Sequence, residues 1–221
     1  LSIFNFFEHI NTVDVRKNTA FQTFCKYFLV CSMASLFGWL FETLSFAILW
    51  TPDDRGFLTL PFCYLYGTVT LAVYFLLGTP FQGRIADFCA RITAGSRSLP
   101  HTVFKYVLQF SLYFISVTLL ATLAEFTVGL IFIKWADVPL WYYGNFDRTF
   151  MDIVCFDFSL LWGVLITVGM CTLWRLFVWI ADSMTESVRT VTAVTLITAV
   201  SVDFIFNCVY FISTGVHFNI I

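Results

Sequence analysis

Two apolar runs joined by a short polar loop constrain this chain more than any other feature of its sequence. The first run ends at Trp50, the second begins at Thr59, and the residues between them read TPDDRGFL. In a membrane, backbone polar groups must be satisfied within the protein, so long apolar segments with such short connections are typical of helical hairpins. We therefore expect residues 34–67 to belong to a transmembrane helical hairpin.

Further apolar runs extend this pattern along the rest of the chain. The predicted spans cover residues 27–50, 57–79, 104–133, 155–180 and 189–213. The composition agrees, because 59% of the residues are hydrophobic and 12% are charged, whereas soluble domains have about 45–50% and about 25%. The prediction is an all-α polytopic membrane protein with about five transmembrane helices in a single domain, residues 27–213. Residues 1–26 are expected to form an amphipathic N-terminal lead-in, and residues 214–221 a short C-terminal tail.

The distribution of lysine and arginine predicts the orientation of these spans. With the N-terminus in the cytoplasm, nine basic residues face inward and only Arg55, Lys134 and Arg148 face outward, which satisfies the positive-inside rule. We therefore expect a multi-pass protein of the cell membrane with its N-terminus in the cytoplasm and its C-terminus outside. The first four spans then form two hairpins of equal orientation, which is compatible with a parallel repeat of two helical hairpins plus one helix.

Three acidic side chains fall inside the apolar runs. Glu42, Glu125 and Asp203 lie eight to ten residues before the outer ends of their predicted spans, which corresponds to about 12–15 Å along a helix axis. A charged side chain at that depth is costly, and membrane proteins place it where it has a partner or a function. These acids are therefore candidates for a functional site in the outer half of the membrane.

Each of these acids lies on a helical face of small and polar residues. The three faces consist of Ser35, Gly38, Glu42 and Ser45, of Thr118, Thr122, Glu125 and Gly129, and of Thr195, Ala199, Asp203 and Asn207. Such faces pack on neighbouring helices, because small residues allow close approach and polar groups find partners there. We expect all three faces to point into the protein.

Two arginines of the outer loops are expected to pair with acids. Arg55 is predicted to approach Glu42, and Arg148 to approach Glu125 or Asp157, because an unpaired charge at this depth costs about 2.5–3.5 kcal/mol on insertion scales. Such ion pairs would either fix the packing of the helices or line a polar cavity that opens outward and binds a substrate or ion.

The loop that follows Glu125 is rich in aromatic residues. It serves either as an interfacial girdle of the kind that Trp and Tyr form or as a cover over the polar cavity. The complete set of predicted substrate-binding residues is Trp39, Glu42, Arg55, Tyr66, Glu125, Trp141, Tyr143, Arg148, Asp157, Asp203 and Asn207.

Signatures of common catalytic machinery are absent from the sequence. The chain contains no G-x-x-x-x-G-K-[ST], H-E-x-x-H or G-x-S-x-G motif, and its three histidines are not paired at metal-ligand spacing. We therefore expect no enzymatic activity, no cofactor and no metal site, and the lack of a basic cluster argues against nucleic acid as a partner. The seven cysteines form no C-x-x-C pair, although Cys63 and Cys155 occupy similar positions in the two hairpins, where a bridge is conceivable.

Several motifs follow the order found in a known family. Residues 38–42 read GWLFE, residues 55–58 read RGFL, and residues 61–67 read PFCYLYG. The second half continues the likeness with Ala124, Glu125, Trp141, Tyr142, Tyr143, Asn145 and Arg148. This arrangement resembles the bacterial ABC-transporter permease family of CmpB-like membrane proteins over roughly residues 28–165. Phe41, Leu60 and Tyr64 depart from the family pattern, which usually has tryptophan, glycine and proline at these places.

The resemblance implies a small multi-span protein that works with a separate ATPase subunit, but it does not supply a substrate. The first functional hypothesis is a membrane subunit of a transporter that binds a small substrate or ion. The second is a non-transporting sensor, assembly factor or regulator whose buried ion pairs act as structural locks, and an intramembrane enzyme acting on a lipid is a third. The expected partners are the lipid bilayer and either an ATPase subunit or another membrane protein, and the oligomeric state is left open.

Overall fold

A computed structural model describes residues 20–49, 57–93, 99–136 and 139–215 of the chain. The elements in chain order are α1 (Ala20–Leu49), α2 (Tyr64–Leu77), α3 (Arg84–Ile92), α4 (Leu99–Ala136), β1 (Thr149–Phe150), β2 (Val154–Cys155), α5 (Phe156–Cys171), α6 (Leu173–Ser183) and α7 (Glu186–Thr214). Within these ranges the protein is helical apart from its connections and the short antiparallel hairpin β1–β2, as the predicted all-α class requires. Most of the predicted N-terminal lead-in, and the predicted tail after residue 215, lie outside the described residues.

Among the described residues, three helical segments are long and apolar enough to cross a membrane, namely Ala20–Ser45, Pro100–Lys134 and Glu186–Thr214. Helices α5 and α6 pass the same test together, although they are bent by 45° where they meet. Helix α2 is apolar but has only 14 residues. Length and composition therefore support three spans, or four if the bent pair crosses as one, and the five-span arrangement and the parallel repeat stay predictions.

The helix predicted over residues 57–79 is shorter than expected at both ends. Residues 57–63 are irregular, because Pro61 has no N–H to offer a helix and the Phe62 N–H bonds to the Leu60 carbonyl across a tight turn (2.6 Å). At the other end, α2 stops at Leu77 because Gly78 takes a φ of +84°, a conformation that favours glycine.

The span predicted over residues 155–180 is broken at Thr172. The Thr172 hydroxyl donates to the Val168 carbonyl (2.8 Å), which also accepts the Thr172 backbone N–H (3.1 Å). A threonine that bonds back to the carbonyl four residues earlier often bends a helix, and we attribute the 45° angle between α5 and α6 to this contact.

Two helical hairpins, α1–α2 and α4–α5, pack through glycines. A Cβ at Gly67 of α2 would overlap the Ser35 hydroxyl of α1, and a Cβ at Gly163 of α5 would overlap the Thr118 hydroxyl of α4. The predicted small-residue faces of α1 and α4 therefore do point into the protein. The core where the hairpins meet contains Val30, Val69, Val73, Tyr113, Val117, Ala121, Met170 and Trp174.

The first turns of α1 are tied to α6 and α7. Lys26 forms an ion pair with Asp182 of α6 (2.7 Å), and the Gln22 amide donates to the Thr190 hydroxyl of α7 (2.8 Å). These polar contacts flank a small apolar cluster of Cys25, Leu29 and Ala193, so α7 is anchored against α1.

The small-residue face predicted for α7 is only partly right. Asn207 is buried and Asp203 is half-buried, but Thr195 and Ala199 are exposed. Helix α7 instead buries Ala193, which lies on the stripe that continues to Asp203 and Asn207 at the 3.6-residue period. Small size alone did not distinguish this stripe from the neighbouring one.

The conceivable bridge between Cys63 and Cys155 is absent, since all seven cysteines are free thiols. The two residues do hold equivalent places, because each is the N-cap of the second helix of its hairpin.

Candidate functional site

The first hairpin presents a carboxylate bonded to a phenol. The Tyr66 hydroxyl of α2 donates to Oε2 of Glu42 on α1 at 2.7 Å. Gly38, one turn before Glu42, leaves room for the Tyr66 ring, since a Cβ at Gly38 would come within 2.5 Å of ring atom Cδ2. The helix-facing glycine therefore positions the phenol against the acid.

The second hairpin presents a similar pair. The Tyr143 hydroxyl donates to Oε1 of Glu125 on α4 at 2.8 Å. Glu125 is only 8% exposed, and among the described residues its Oε2 has no hydrogen-bond partner. One carboxylate oxygen is thus satisfied by the loop, and the other is buried and open to a further donor.

The loop between α4 and α5 is fastened so that Tyr143 reaches Glu125. Trp141 donates its indole N–H to the Ile153 carbonyl (2.8 Å), and the Tyr143 N–H bonds to the Asp152 carbonyl (2.9 Å). Both Trp141 and Ile153 lie against Gly129 of α4, where a Cβ would come within 2.5 Å of Ile153. The loop is therefore packed along the last turns of α4.

The two carboxylate–phenol pairs meet between the hairpins. The rings of Tyr66 and Trp162 lie 5.2 Å apart, and the Trp162 indole lies beside the Tyr143 hydroxyl. The negative charge of Glu42 also acts on Glu125 and on Tyr143. We call these five residues, Glu42, Tyr66, Glu125, Tyr143 and Trp162, the Glu–Tyr cluster.

Both halves of the Glu–Tyr cluster use the same local arrangement. Ser35 and Thr118, the hydroxyl residues that face the helix-contact glycines, each precede the acid of their helix by seven positions. On the partner helices, Tyr66 and Trp162 each directly precede the contact glycine. The sequence of each hairpin therefore places an aromatic ring next to its contact glycine.

Tyr143 stays a hydrogen-bond donor at neutral pH. Burial raises the pKa of Tyr143 above its ordinary value, and the neighbouring Glu125 charge raises it further. Its ring is stacked on Phe158 of α5, with centroids 5.1 Å apart, which holds the phenol in place.

Arg148 pairs with Asp157, one of the two partners predicted for it. Nη2 of Arg148 lies 2.6 Å from Oδ1 of Asp157, but the two side chains are 63% and 52% exposed. The predicted pairing with Asp157 is found, but the expectation that the pair is buried is wrong, because both side chains are exposed in the structure and Asp157 lies in the first turn of α5. An ion pair this exposed contributes little to stability.

Asp203 and Asn207 hold the irregular segment before α2. Oδ2 of Asp203 accepts the Leu60 N–H (3.0 Å), and Nδ2 of Asn207 donates to the Thr59 hydroxyl (3.0 Å). Asn207 is 1% exposed, and these contacts satisfy its Nδ2, whereas its Oδ1 has no hydrogen-bond partner among the described residues. The structure therefore places the two residues at this segment and assigns them no contact with the Glu–Tyr cluster in the described part of the chain.

The other predicted site residues have three different outcomes. Trp39 is half-buried on α1 and makes no polar or ring contact to the cluster within the described ranges. Trp141 braces the loop. Arg55 lies outside the described residues, so its predicted pairing with Glu42 stays a prediction. Trp162 was missed, although its position directly before Gly163, like that of Tyr66 before Gly67, was a signal in the sequence.

A comparison with protein families matches residues 27–208 to the family described as "Putative ABC-transporter type IV". The chain belongs to this family. No curated protein and no solved structure matches the chain.

The ABC-transporter type IV match covers both hairpins and all five residues of the Glu–Tyr cluster. The described residues contain no group of three or more His, Cys, Asp or Glu side chains suited to a metal ion.

Proposed function

We propose that this chain is the membrane-embedded subunit of an ABC-type transporter and that its Glu–Tyr cluster contacts a small substrate or ion. The observation that carries the proposal is that Glu42 and Glu125, one from each hairpin, each accept a hydrogen bond from a phenol and lie close enough for the charge of Glu42 to act on Glu125. Carboxylates buried inside apolar helices are costly to insert, and such groups concentrate at substrate and ion pathways.

If Glu125 served only to hold helices together, we would expect it to form an ion pair with a basic residue. Elsewhere this chain joins two helices by a base and an acid, Lys26 and Asp182. Glu125 is held instead by the neutral phenol of Tyr143, and no lysine or arginine within the described ranges contacts it. A phenol orients a carboxylate without neutralising it, which favours a binding role.

A separate ATPase subunit is part of the proposal. These 221 residues contain no G-x-x-x-x-G-K-[ST] motif, so the proposed ABC-type transporter takes its nucleotide-binding part from outside them. The proposed orientation is N-terminus in the cytoplasm and C-terminus outside, which puts the Glu–Tyr cluster in the outer half of the cell membrane.

A non-transporting sensor or assembly protein is the second candidate. It is favoured by Asp203 and Asn207, because each of these side chains makes a hydrogen bond that holds residue 60 or residue 59 in place. If the Glu–Tyr cluster likewise only held parts of the protein together, substitutions of its acids would lower the stability of the fold and would have no separate effect on activity.

Purification of the tagged chain from its native membrane tests the proposal. We expect an ATP-hydrolysing subunit to copurify, and we expect Glu42→Gln to leave the complex assembled and its melting temperature little changed while ATP hydrolysis falls. Asp147→Asn, an exposed acid of the outer loop, is the control and is expected to hydrolyse ATP like the wild type. A complex without an ATPase, or a Glu42→Gln variant that fails to accumulate, would favour the second candidate.

A further inference from the structure

The buried oxygen of Glu125 is the least satisfied acidic atom of the Glu–Tyr cluster. Oε1 accepts the Tyr143 hydroxyl, while Oε2 has no partner among the described residues and almost no exposed surface. A buried acceptor without a donor is unfavourable, and a buried negative charge without a counter-charge is more so. Something that the described residues do not provide is needed at this oxygen.

The groups that face Glu125 make a positive charge the missing element. Glu42 on α1 acts on it with a like charge, and Tyr143 from the loop offers a neutral hydroxyl. The ring of Trp162 on α5 lies beside the Tyr143 hydroxyl and packs against the ring of Tyr66 on α2. Aromatic faces attract cations and disfavour anions, so the rings and the acids select the same sign of charge.

We propose that the Glu–Tyr cluster is a site for a monovalent positive charge at Glu125, and this inference rests on the proposed transport function. The charge can be supplied as a proton or as the ammonium group of a substrate. A proton can bind to Oε2 without a change in the conformation of the surrounding residues. An ammonium group needs Tyr143 and its loop to move, because Glu125 is only 8% exposed.

An ammonium ligand would use the cluster in a defined way. One N–H would donate to Oε2 of Glu125, and the carbon substituent would lie against the rings of Tyr66 and Trp162. The site would therefore bind an aromatic or alkyl ammonium ion in preference to the alcohol of the same shape, because the alcohol brings no charge to the carboxylate.

To test for an ammonium ligand, the purified chain is placed in lipid nanodiscs, and benzylammonium and benzyl alcohol are the probes. We expect saturable benzylammonium binding by calorimetry, weakened about tenfold or more in Glu125→Gln. The matched control is Glu186→Gln, which makes the same chemical change at an exposed position in the first turn of α7 and should bind like the wild type. The comparison of the two probes on the wild type needs no variant, so it decides the matter even if Glu125→Gln does not fold.

To test for a proton, infrared spectra of the same nanodiscs are recorded in basic and in acidic buffer, and their difference is taken. A protonated carboxyl band that is present in the wild type and in Glu186→Gln but missing in Glu125→Gln assigns an exchangeable proton to Glu125. Glu125→Asp, which keeps the acid one methylene shorter, should retain a shifted band and serves if the glutamine variant is unstable.

Two results overturn the inference. One is equal binding of benzyl alcohol and benzylammonium, since the site would then be apolar only. The other is the absence of both benzylammonium binding and a Glu125 carboxyl band. If an ATPase still copurifies and still depends on Glu42 in that case, the transport function stands and only the charge selectivity of the site is wrong.

Discussion

The hydroxyl of Tyr143 donates to Oε1 of Glu125 at 2.8 Å, across 18 positions of sequence. The phenol belongs to the loop that precedes α5 and the acid to the interior of α4, so this one bond closes the loop over the helix. Tyr66 and Glu42 form the same kind of bond in the other hairpin, so each of the two acids accepts a hydrogen bond from a phenol.

Tyr143→Phe is predicted to destabilise the protein. The substitution removes the donor to Oε1 and leaves both oxygens of Glu125 without a partner, which costs about 1–3 kcal/mol of unfolding free energy. Thermal unfolding in detergent measures the effect. The neighbouring Tyr142 is 57% exposed, so Tyr142→Phe is the control and should unfold like the wild type; equal stability of the two variants would contradict the prediction.

Gly38→Ala is predicted to push Tyr66 away from Glu42. The added Cβ would lie 2.5 Å from Cδ2 of the Tyr66 ring, and overpacking of this kind costs about 1–3 kcal/mol. Unfolding midpoints and the ATP hydrolysis of the complex report the change.

Gly169→Ala provides the matched control for that substitution. Nothing lies within 4 Å of a Cβ at Gly169, and alanine in a helix is about 0.5–1 kcal/mol more stable than glycine. The two variants should therefore shift the unfolding midpoint in opposite directions, and a shift of the same sign in both would refute the packing argument at Gly38.

Asp203→Ala is predicted to release the segment before α2. The Leu60 N–H loses its acceptor, and the contact between Asn207 and Oδ1 of Asp203 (3.2 Å) is lost with it. Hydrogen exchange followed by mass spectrometry should show faster exchange in residues 57–62 while α4 stays protected. Ser201→Ala, an exposed change on the same helix, should leave that exchange rate unaltered.

The orientation of the chain predicts opposite labelling of two exposed positions. In a background whose seven cysteines are replaced by alanine, Arg91→Cys should react with an impermeant maleimide only after the inner face is opened. Asn145→Cys should react in intact cells. Labelling of position 91 from outside would reverse the predicted topology.

The sequence predicted the helices better than their interruptions. Long apolar runs indicate where a helix can lie in a membrane, and α1, α4 and α7 follow them. The irregular residues 57–63 depend on Pro61 and on the bond to the Leu60 carbonyl, and the break at Thr172 depends on the bonds of Thr172 to the Val168 carbonyl. A hydrophobic pattern does not record such bonds.

The sequence identified the acids of the site but only part of their surroundings. Glu42 and Glu125 were evident because a charge in an apolar run is rare. Their bonding to phenols was not evident, because arginines appeared to be the natural partners of buried acids. Trp162 was hidden among other aromatic residues of α5, since its role depends on the contact of its ring with Tyr66.

The shortness of α2 has a consequence for the surrounding bilayer. Its 14 residues rise about 21 Å, whereas a typical hydrocarbon core is about 30 Å thick. A bilayer meets a short apolar element by thinning around it. On the side of the protein where α2 faces lipid, headgroups and water should therefore approach the midplane, and the chain should favour membranes of small hydrophobic thickness.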